Sequence, residues 1–259
     1  MADNLVLLTI RGPVAELKLN RPQQRNALCE EMLLQLEACV DALAGEQHVR
    51  VVLVRGEGKA FAAGADIADM QAMSAIEAEA FARLGQRVFG KLEQLPQVTV
   101  ALVHGYALGG GMELAMACDV RIAVRGAKFG QPEVTLGVIP GFGGSQRLPR
   151  IVGQGRALWW LLSGEWIDAE EALAAGLVTQ VVEADDLEAT AERVATRLAG
   201  LPPTALAFIK RAVYEGAEVA LPQGLAQEAA LFGLCFATED QKEGMAAFLH
   251  KRPAAFRGR

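Results

Sequence analysis

Residues 98–124 read VTVALVHGYALGGGMELAMACDVRIAV, and the alternation within this stretch decides the fold class. The apolar run Val98–Val103 predicts a buried strand, residues 112–118 predict a short helix, and Val120–Val124 predicts a second strand. Two strands joined through a helix pair in parallel, with a right-handed crossover. The stretch therefore predicts an α/β fold built on a parallel sheet.

The same alternation occurs earlier in the chain. Residues 5–10 and Val14–Leu19 flank a turn of Arg, Gly and Pro, which predicts a hairpin. Apolar residues at helical spacing predict a helix over residues 30–43, with Gly45 placed to end it, and a β-branched run predicts a strand over residues 49–54. We therefore expect a second strand-helix-strand unit in the same sheet.

Helical patterns dominate after residue 145, where residues 178–182 carry the remaining strand signal. Asp168 with Glu171, and Thr238 with Gln241, stand at the spacing of a capping box. The further helices are expected over residues 187–198, 204–216, 222–235 and 238–250. Two roles remain open for the large apolar residues of this part, which either cover the core or form a subunit interface: Trp159, Leu225, Leu231, Phe232 and Phe236.

The composition is that of one folded globular domain. The 259 residues are 52% hydrophobic and 22% charged, which disfavours disorder. The apolar region over residues 95–124 is interrupted by His104, Glu113, Asp119 and Arg121, so it lacks the roughly 18 uninterrupted apolar residues of a membrane span. We expect this region to lie in the core, and we expect no membrane partner.

Charge and cysteine content disfavour nucleic-acid-binding, metal-binding and disulfide-bonded classes of protein. A net charge of -6 without a run of Lys or Arg disfavours a nucleic-acid partner, because phosphate neutralisation needs a basic face. The four cysteines form no C-x-x-C pair and none lies near a histidine at ligand spacing, so neither a metal site nor a disulfide is predicted. Residues 1–10 lack the basic and apolar parts of an export signal. Reduced thiols in a cytoplasmic protein fit these observations best.

Three glycine-bearing segments carry the candidate chemistry. They are AFAAGADI at residues 60–67, GYALGGGME at 105–113 and FGQPEVTLGVIPGFGG at 129–144. Small residues leave backbone N–H groups accessible, and consecutive glycines at a helix N-terminus favour negative charge. The G-x-G-x-x-G and Walker patterns are absent, which disfavours a dinucleotide or nucleotide-phosphate site. Taken singly, the first segment fits a tight, small-residue turn equally well, and the second also fits a glycine cluster for close helix packing.

Two glutamates lie within these segments. Glu113 and Glu133 are each bracketed by glycine and apolar residues, where desolvation would raise the pKa towards neutrality. A single glutamate is more often part of a solvated helix face. A pair in a chain with only three histidines predicts acid-base chemistry, because paired carboxyls tend to take different protonation states.

Taken together, these segments carry a resemblance to a known family. Residues 61–67, 105–119 and 131–147 resemble the signature stretches of the crotonase superfamily, most closely those of enoyl-CoA hydratases. The resemblance implies a crotonase-like spiral of ββα units over residues 1–200 and a helical trimerisation region over residues 201–259. It also implies a homotrimer or a dimer of trimers, an acyl thioester of coenzyme A as substrate, and no metal or cofactor apart from the coenzyme A of the substrate.

The resemblance also implies roles for individual residues. The N–H groups of Ala65 and Gly110 would form an oxyanion hole for the thioester carbonyl, and Glu113 and Glu133 would hold the attacking water. The residues that would line the coenzyme A arm are Arg25, Ala27, Ala63, Asp66, Ile67 and Ala68. Gly141 would lie beside the water, and Phe248 with Lys251 would close over the nucleotide, in some members from a neighbouring subunit.

The implied activity is the reversible syn hydration of 2-trans-enoyl-CoA to 3-hydroxyacyl-CoA, a step of fatty acid β-oxidation among other pathways. Glu113 is expected to be the base and Glu133 the acid in the hydration direction. Three alternatives are a Δ3,Δ2-enoyl-CoA isomerase, another enolate-forming acyl-CoA enzyme, and a non-catalytic RNA-binding or scaffold protein. The presence of both glutamates favours the hydratase over the isomerase. His104 and Ser145 depart from the Asn and Thr of many hydratases, and His104 is expected to be a hydrogen-bonded core residue.

Overall fold

The computed structural model describes residues 4–259, in which strands and helices alternate up to residue 182 and helices follow. The strands are β1 Val6–Arg11, β2 Val14–Leu19, β3 Val51–Gly56, β4 Val98–Val103, β5 Tyr106–Leu108, β6 Val120–Val124, β7 Lys128–Gly130, β8 Trp166–Asp168 and β9 Gln180–Val182. The helices are α1 Glu30–Gly45, α2 Ile67–Met70, α3 Ala75–Gln94, α4 Gly110–Met116, α5 Gly144–Val152, α6 Gln154–Ser163, α7 Ala169–Ala174, α8 Leu187–Ala199, α9 Pro203–Gly216, α10 Leu221–Cys235 and α11 Glu239–Leu249. Short 3₁₀ turns cover Pro22–Gln24, Pro132–Leu136 and Ala184–Asp186.

The strands form two sheets. The larger has the order β1-β2-β3-β4-β6-β9, in which β1 and β2 form an antiparallel hairpin and all other pairs are parallel. The smaller has the order β5-β7-β8. The consecutive strands β4 and β5 enter different sheets before α4, and β6 and β7 do the same before α5. This ββα repeat confirms the predicted parallel α/β fold.

Strand β4 shows why residues 98–103 form a continuous apolar run. Ala101 and Val103 face one hydrophobic core, which α1, α3 and α4 cover. Val100 and Leu102 face a second core on the opposite side of the sheet, which α8 covers. Because both faces of the strand are buried, neither set of alternate positions carries a polar residue exposed to water.

Several predicted boundaries differ from the structure by one or two residues. The strand predicted at 5–10 is Val6–Arg11, and the one predicted at 49–54 is Val51–Gly56, because the Val49 amide bonds to the carbonyl of a preceding turn. The strand predicted at 178–182 is Gln180–Val182, because the Val178 amide is used at the end of α7.

Helix boundaries differ by similar amounts. Helix α4 begins at Gly110, two residues before the predicted start, and α1 includes Gly45 as its last residue. The two predicted capping boxes each form one half of the motif. Asp168 accepts from the Glu171 amide at 2.8 Å, and Thr238 accepts from the Gln241 amide at 3.1 Å.

Helix α3 has no counterpart among the predictions. It spans 20 residues, Ala75–Gln94, and begins with a complete capping box between Ser74 and Glu77. Phe81, Leu84, Val88 and Leu92 recur at helical spacing and are buried, while the remaining face is polar and exposed. These signals were present in the sequence at residues 74–92.

The C-terminal helices are attached to the sheet through Asp119. Its carboxylate accepts from Tyr214 at 2.9 Å and pairs with Lys210 at 2.8 Å, and both partners belong to α9. The predicted division at residue 200 falls between α8 and α9 and remains a prediction. The range predicted for the core begins at residue 1, and residues 1–3 lie outside the part of the chain described.

The apolar residues of the C-terminal half divide between core and surface. Leu231 is buried, with 5% of its surface exposed. The other four lie largely on the surface of the protomer, namely Trp159, Leu225, Phe232 and Phe236. No helix within residues 4–259 is both long and apolar enough to cross a bilayer.

Candidate active site

The residues before α2 run beside β5 and bring two backbone amides together. Ala62 and Ala107 form a parallel bridge, in which the Leu108 amide donates to the Ala62 carbonyl at 3.1 Å. Two residues beyond each of these, a Cβ at Gly109 would lie 3.7 Å from the Cα of Gly64. Ala65 and Gly110 directly follow these two glycines, so the two predicted oxyanion-hole residues lie close together.

Both amides are available to a ligand. On either side of Ala65, the Gly64 carbonyl accepts from Leu28 at 2.8 Å and the Asp66 amide donates to Leu28 at 2.9 Å, so the backbone is fixed in place. Gly110 is the first residue of α4, where an N–H has no acceptor in the preceding turn. Within the described residues, neither the Ala65 nor the Gly110 amide has a hydrogen-bond acceptor.

Close contacts require glycine at two of the three consecutive positions, Gly109 and Gly111. A Cβ at Gly111 would lie 2.0 Å from the Ala62 carbonyl oxygen, and a Cβ at Gly109 would lie 2.8 Å from Oε1 of Glu133. Gly109 also has a φ of +48°, which L residues rarely adopt. The sequence left helix packing and an anion site as alternatives for this segment, and the glycines meet the steric requirement of both.

Glu113 lies in the first turn of α4 and is 1% exposed. Its Oε1 accepts from the amides of Phe142 at 2.8 Å and Gly144 at 2.6 Å. Burial and the neighbouring charge of Glu133 raise the pKa of Glu113 to about 7, although the two amides and the charge of Arg147 act in the opposite direction. A carboxyl with this pKa exchanges protons readily near neutral pH.

Glu133 lies in the 3₁₀ turn after β7, where Pro132 is the first residue. The side chain is partly buried, and its Oε1 faces Gly109 at the start of α4. Burial raises the pKa of Glu133 to about 7. The structure therefore brings the two predicted carboxyls together, each with a raised pKa, beside the two free amides.

The turn over residues 141–144, which donates to Glu113, is held by α3. The Phe142 ring packs against Phe81, with ring centroids 5.2 Å apart, and fills the space beside Gly85, where a Cβ would lie 2.2 Å from the ring. Gln86 donates to the Gly141 carbonyl at 2.8 Å. The helix that no sequence prediction covered therefore positions the backbone donors of a candidate catalytic residue.

The sequence analysis assigned no role to two further residues near the pair. One terminal atom of the buried Gln131 carboxamide lies 3.0 and 3.2 Å from the two oxygens of Glu133. As an NH₂ it donates to the ionised acid, and as a carbonyl it accepts from the protonated acid. Arg147 donates to the Phe142 carbonyl at 3.1 Å. The sequence offered two signals for these residues. Gln131 is a polar residue two positions before Glu133, and Arg147 is a basic residue after a glycine turn.

The residues expected to line the coenzyme A arm occupy a neighbouring surface. Arg25 is exposed, with a φ of +51°, and its guanidinium lies 5.7 Å from the centre of the Tyr106 ring. Asp66 forms an ion pair with Arg21 and caps α2 by accepting from the Ala68 amide at 3.0 Å. Its carboxylate therefore stabilises the conformation of the loop. The remaining residues of this set lie along the same loops and are partly or fully exposed, namely Ala27, Ala63, Ile67 and Ala68.

Two residues predicted to close over the nucleotide lie at the C-terminal end of the chain. Phe248 is 83% exposed near the end of α11, and Lys251 follows it in a left-handed conformation with a φ of +53°. Gly141, by contrast, belongs to the turn beside Glu113. The first two residues therefore lie on the protomer surface, and Gly141 lies at the site.

The described residues include no cluster of three or more His, Cys, Asp or Glu side chains that could hold a metal ion. His104 follows β4, and its Nε2 lies 3.0 Å from the Gly58 carbonyl oxygen. The side chain is half-buried, so the predicted hydrogen bond is confirmed and full burial is not.

Known proteins resemble the chain over nearly its whole length. The enoyl-CoA hydratase/isomerase family matches residues 9–259. A crotonyl-CoA hydratase of Syntrophomonas wolfei is 47% identical over 99% of both chains, and a short-chain-enoyl-CoA hydratase of Clostridium acetobutylicum is 44% identical over 97% of both. A crystal structure of enoyl-CoA hydratase from Bacillus anthracis is 37% identical, with a TM-score of 0.95 over 98% of this chain and 100% of that one. The chain therefore belongs to the enoyl-CoA hydratase/isomerase family of the crotonase superfamily.

Proposed function

We propose that the chain catalyses the reversible hydration of 2-trans-enoyl-CoA thioesters, with Glu113 and Glu133 as the acid-base pair. The observation that carries the proposal is the pair of carboxyls with pKa values of about 7 beside two unpaired backbone amides. Similarity to the two hydratases supports the reaction, and the geometry supports the residue roles. Water adds across the double bond, with its hydroxyl on C3 and a proton on C2.

In this mechanism the thioester carbonyl oxygen accepts hydrogen bonds from Ala65 and Gly110. Attack at C3 moves electrons towards that oxygen, so an enolate-like charge develops between the two amides. Backbone donors of this kind stabilise such a charge without reorganisation, and loss of one donor typically costs about 10²- to 10³-fold in rate. Gly110 adds the positive end of the α4 dipole.

Glu113 is the base in hydration, and Glu133 is the acid. Two amides bind Oε1 of Glu113, which favours its ionised form and leaves Oε2 to bind the attacking water. The Gln131 carboxamide can accept a hydrogen bond from a neutral Glu133 through its carbonyl oxygen, and it can donate to the ionised form through its NH₂. Glu113 takes a proton from water as Glu133 delivers one to C2, and both transfers reverse in dehydration. Delivery from one face of the double bond gives syn addition.

Recognition of the coenzyme A arm is assigned to the loops beside the oxyanion hole. The exposed guanidinium of Arg25 suits a phosphate, and the small residues Ala27, Ala63 and Ala68 leave room for the pantetheine chain. Asp66 and Ile67 shape the same loop, and Gly141 stands beside the water. Phe248 and Lys251 are assigned to the nucleotide, and their exposed position suits residues that serve a neighbouring subunit.

We propose a homotrimer, alone or as a dimer of trimers. The support is the number of large apolar side chains that the protomer exposes, since soluble monomers rarely expose large apolar patches. These side chains include Leu158, Trp159, Leu162, Trp166, Leu225, Phe232 and Phe236. We further propose that residues 201–259 form the trimerisation region and residues 1–200 the core. No cofactor is assigned beyond the substrate's own coenzyme A, and four free thiols suit the cytoplasm.

Incubation with crotonyl-CoA tests the proposal, with product detected by the mass gain of one water. Glu113→Gln and Glu133→Gln are each expected to abolish hydration while binding of unreactive butyryl-CoA persists. Glu192→Gln, an exposed site on α8, is the matched control and should retain full activity. Full activity in either active-site variant would refute the roles. Double-bond migration in a 3-enoyl-CoA, without water gain in crotonyl-CoA, would indicate the isomerase instead.

A further inference from the structure

Arg147 binds the turn over residues 141–144 on the side away from Glu113. It lies on α5, one turn after Gly144. Its Nη1 donates to the Phe142 carbonyl at 3.1 Å, while Nε and Nη2 bind the two oxygens of Glu93 at 3.3 and 3.0 Å. The guanidinium therefore joins the turn to α3 through a two-pronged ion pair.

The bonds of the turn alternate between the two charged groups. The amides of Phe142 and Gly144 donate to Glu113, and the carbonyl between them, that of Phe142, accepts from Arg147. Rotation of the intervening peptide would break the bond to Arg147. Gly143 makes this arrangement possible, since it has a φ of +116° and a Cβ there would lie 2.3 Å from Nη1.

The ion pair between Arg147 and Glu93 is partly shielded from water, so it can hold the guanidinium in one position. The side chains of Arg147 and Glu93 are 17% and 24% exposed. The nearby Arg150 differs in this respect, because its partner is Glu218 in the turn after α9 and both side chains are more than half exposed. An exposed pair of that kind contributes little to positioning.

We propose that Arg147 is a positioning residue for Glu113, acting through the Phe142 carbonyl and anchored by Glu93. It holds the turn so that two amides stay on Oε1 and Oε2 remains directed to the water. The inference rests on the proposed function of Glu113 as a base. Arg147 itself touches neither substrate nor water in this scheme.

A consequence for pH dependence follows from the surrounding charges. Glu113 faces Glu133 from the 3₁₀ turn, which favours its neutral form, and Arg147 from α5, which favours its ionised form. Arg147 in turn faces Glu93 from α3 and shares a cavity of about 680 Å³ with Arg121, Arg150, Tyr214 and Glu218. Arg121 donates hydrogen bonds to backbone carbonyls, and Arg150 pairs with Glu218. Of these three arginines, Arg147 is the one whose charge lowers the pKa of Glu113.

The test compares pH profiles of crotonyl-CoA hydration for three substitutions. Arg147→Met should lower kcat about 10-fold at neutral pH and move the acid limb of the profile upward, with KM changed less than about twofold. Arg147→Lys keeps the charge and should leave the acid limb near that of the unmodified chain. Arg150→Met is the matched control on the same helix and should change neither quantity.

Glu93→Gln separates position from charge. It leaves the Arg147 cation in place but removes its anchor, so kcat should fall several-fold without an upward move of the acid limb. This variant also provides the test if Arg147→Met fails to fold. An unmoved acid limb in Arg147→Met, or full kcat in Glu93→Gln, would overturn the inference while Glu113→Gln remained inactive. Failure of the unmodified chain to hydrate crotonyl-CoA would instead overturn the proposed function, and the inference with it.

Discussion

Substitution of Gly109 by alanine separates the geometry of the site from the stability of the fold. The new Cβ would lie 2.8 Å from Oε1 of Glu133, well inside normal contact, so the carboxyl must move by several tenths of an ångström. The positive φ of Gly109 adds backbone strain of about 1–3 kcal/mol. The Gly110 amide follows directly in the chain and shifts with it.

Gly126→Ala is the matched control. Gly126 lies in the exposed turn between β6 and β7 with a φ of +88°, and a Cβ there would have no neighbour within 4 Å. Both variants therefore incur the cost of a positive φ, and each should lose roughly 2 to 10 °C in Tm. Gly109→Ala alone displaces groups of the site.

Steady-state kinetics on crotonyl-CoA measure the difference. Because a displacement near 1 Å at reacting groups costs on the order of 10²-fold, kcat of Gly109→Ala should fall by about 10- to 100-fold. Gly126→Ala should stay within about twofold of the unmodified chain at a temperature where both are folded. Unchanged kcat in Gly109→Ala, or an equal loss in both variants, would refute the assigned contact between Gly109 and Glu133.

Three further predictions concern the pair, the turn and the surface. The pKa of Glu113 in the folded chain, about 7, exceeds its ordinary value of 4.5, so this carboxyl makes the fold lose stability as pH rises from about 4.5 to about 7, with no further loss above that. Calorimetry should find Glu113→Gln more stable than the unmodified chain at pH 8 and nearly equal at pH 4. Gly85→Ala drives a Cβ into the Phe142 ring, so it should lower the free energy of unfolding by about 1–3 kcal/mol in chemical denaturation and should also lower kcat. In Gly90→Ala, on the same helix, the new Cβ meets nothing within 4 Å, so this variant should be neutral or stabilising. Trp159→Glu should dissociate the oligomer in light scattering, while Leu34→Glu on α1 should leave its mass unchanged; a monomeric unmodified chain would contradict the trimer.

The elements that the sequence predicted well are those in which burial leaves a regular pattern. Strand β4 is buried on both faces and reads as an apolar run, and Glu113 and Glu133 stand out because ionisable residues are rare in such surroundings. Helix α3 could have been predicted from Ser74, Glu77 and the spacing of its apolar residues. Strands β5, β7 and β8 have three residues each, too few for a periodic signal.

The remaining parts of the site depend on contacts between distant segments. Arg147 binds Glu93 across 54 residues of sequence, and no local pattern records that pairing. Backbone amides have no sequence signature of their own, so the proximity of Ala65 and Gly110 came from the resemblance and from the close approach of Gly64 and Gly109 in the structure. The pKa of Glu113 likewise depends on a turn 29 residues away.

The proposed oxyanion hole and the proposed acid-base pair differ in how mutation can change them. A single codon change replaces the carboxyl of Glu113 or Glu133, but no substitution other than proline deletes the N–H of Ala65 or Gly110. A lineage that inherits this site can therefore exchange its proton-transfer groups one at a time and still stabilise an enolate. In evolutionary terms, the backbone preserves the common intermediate, and the side chains determine which product is formed from it.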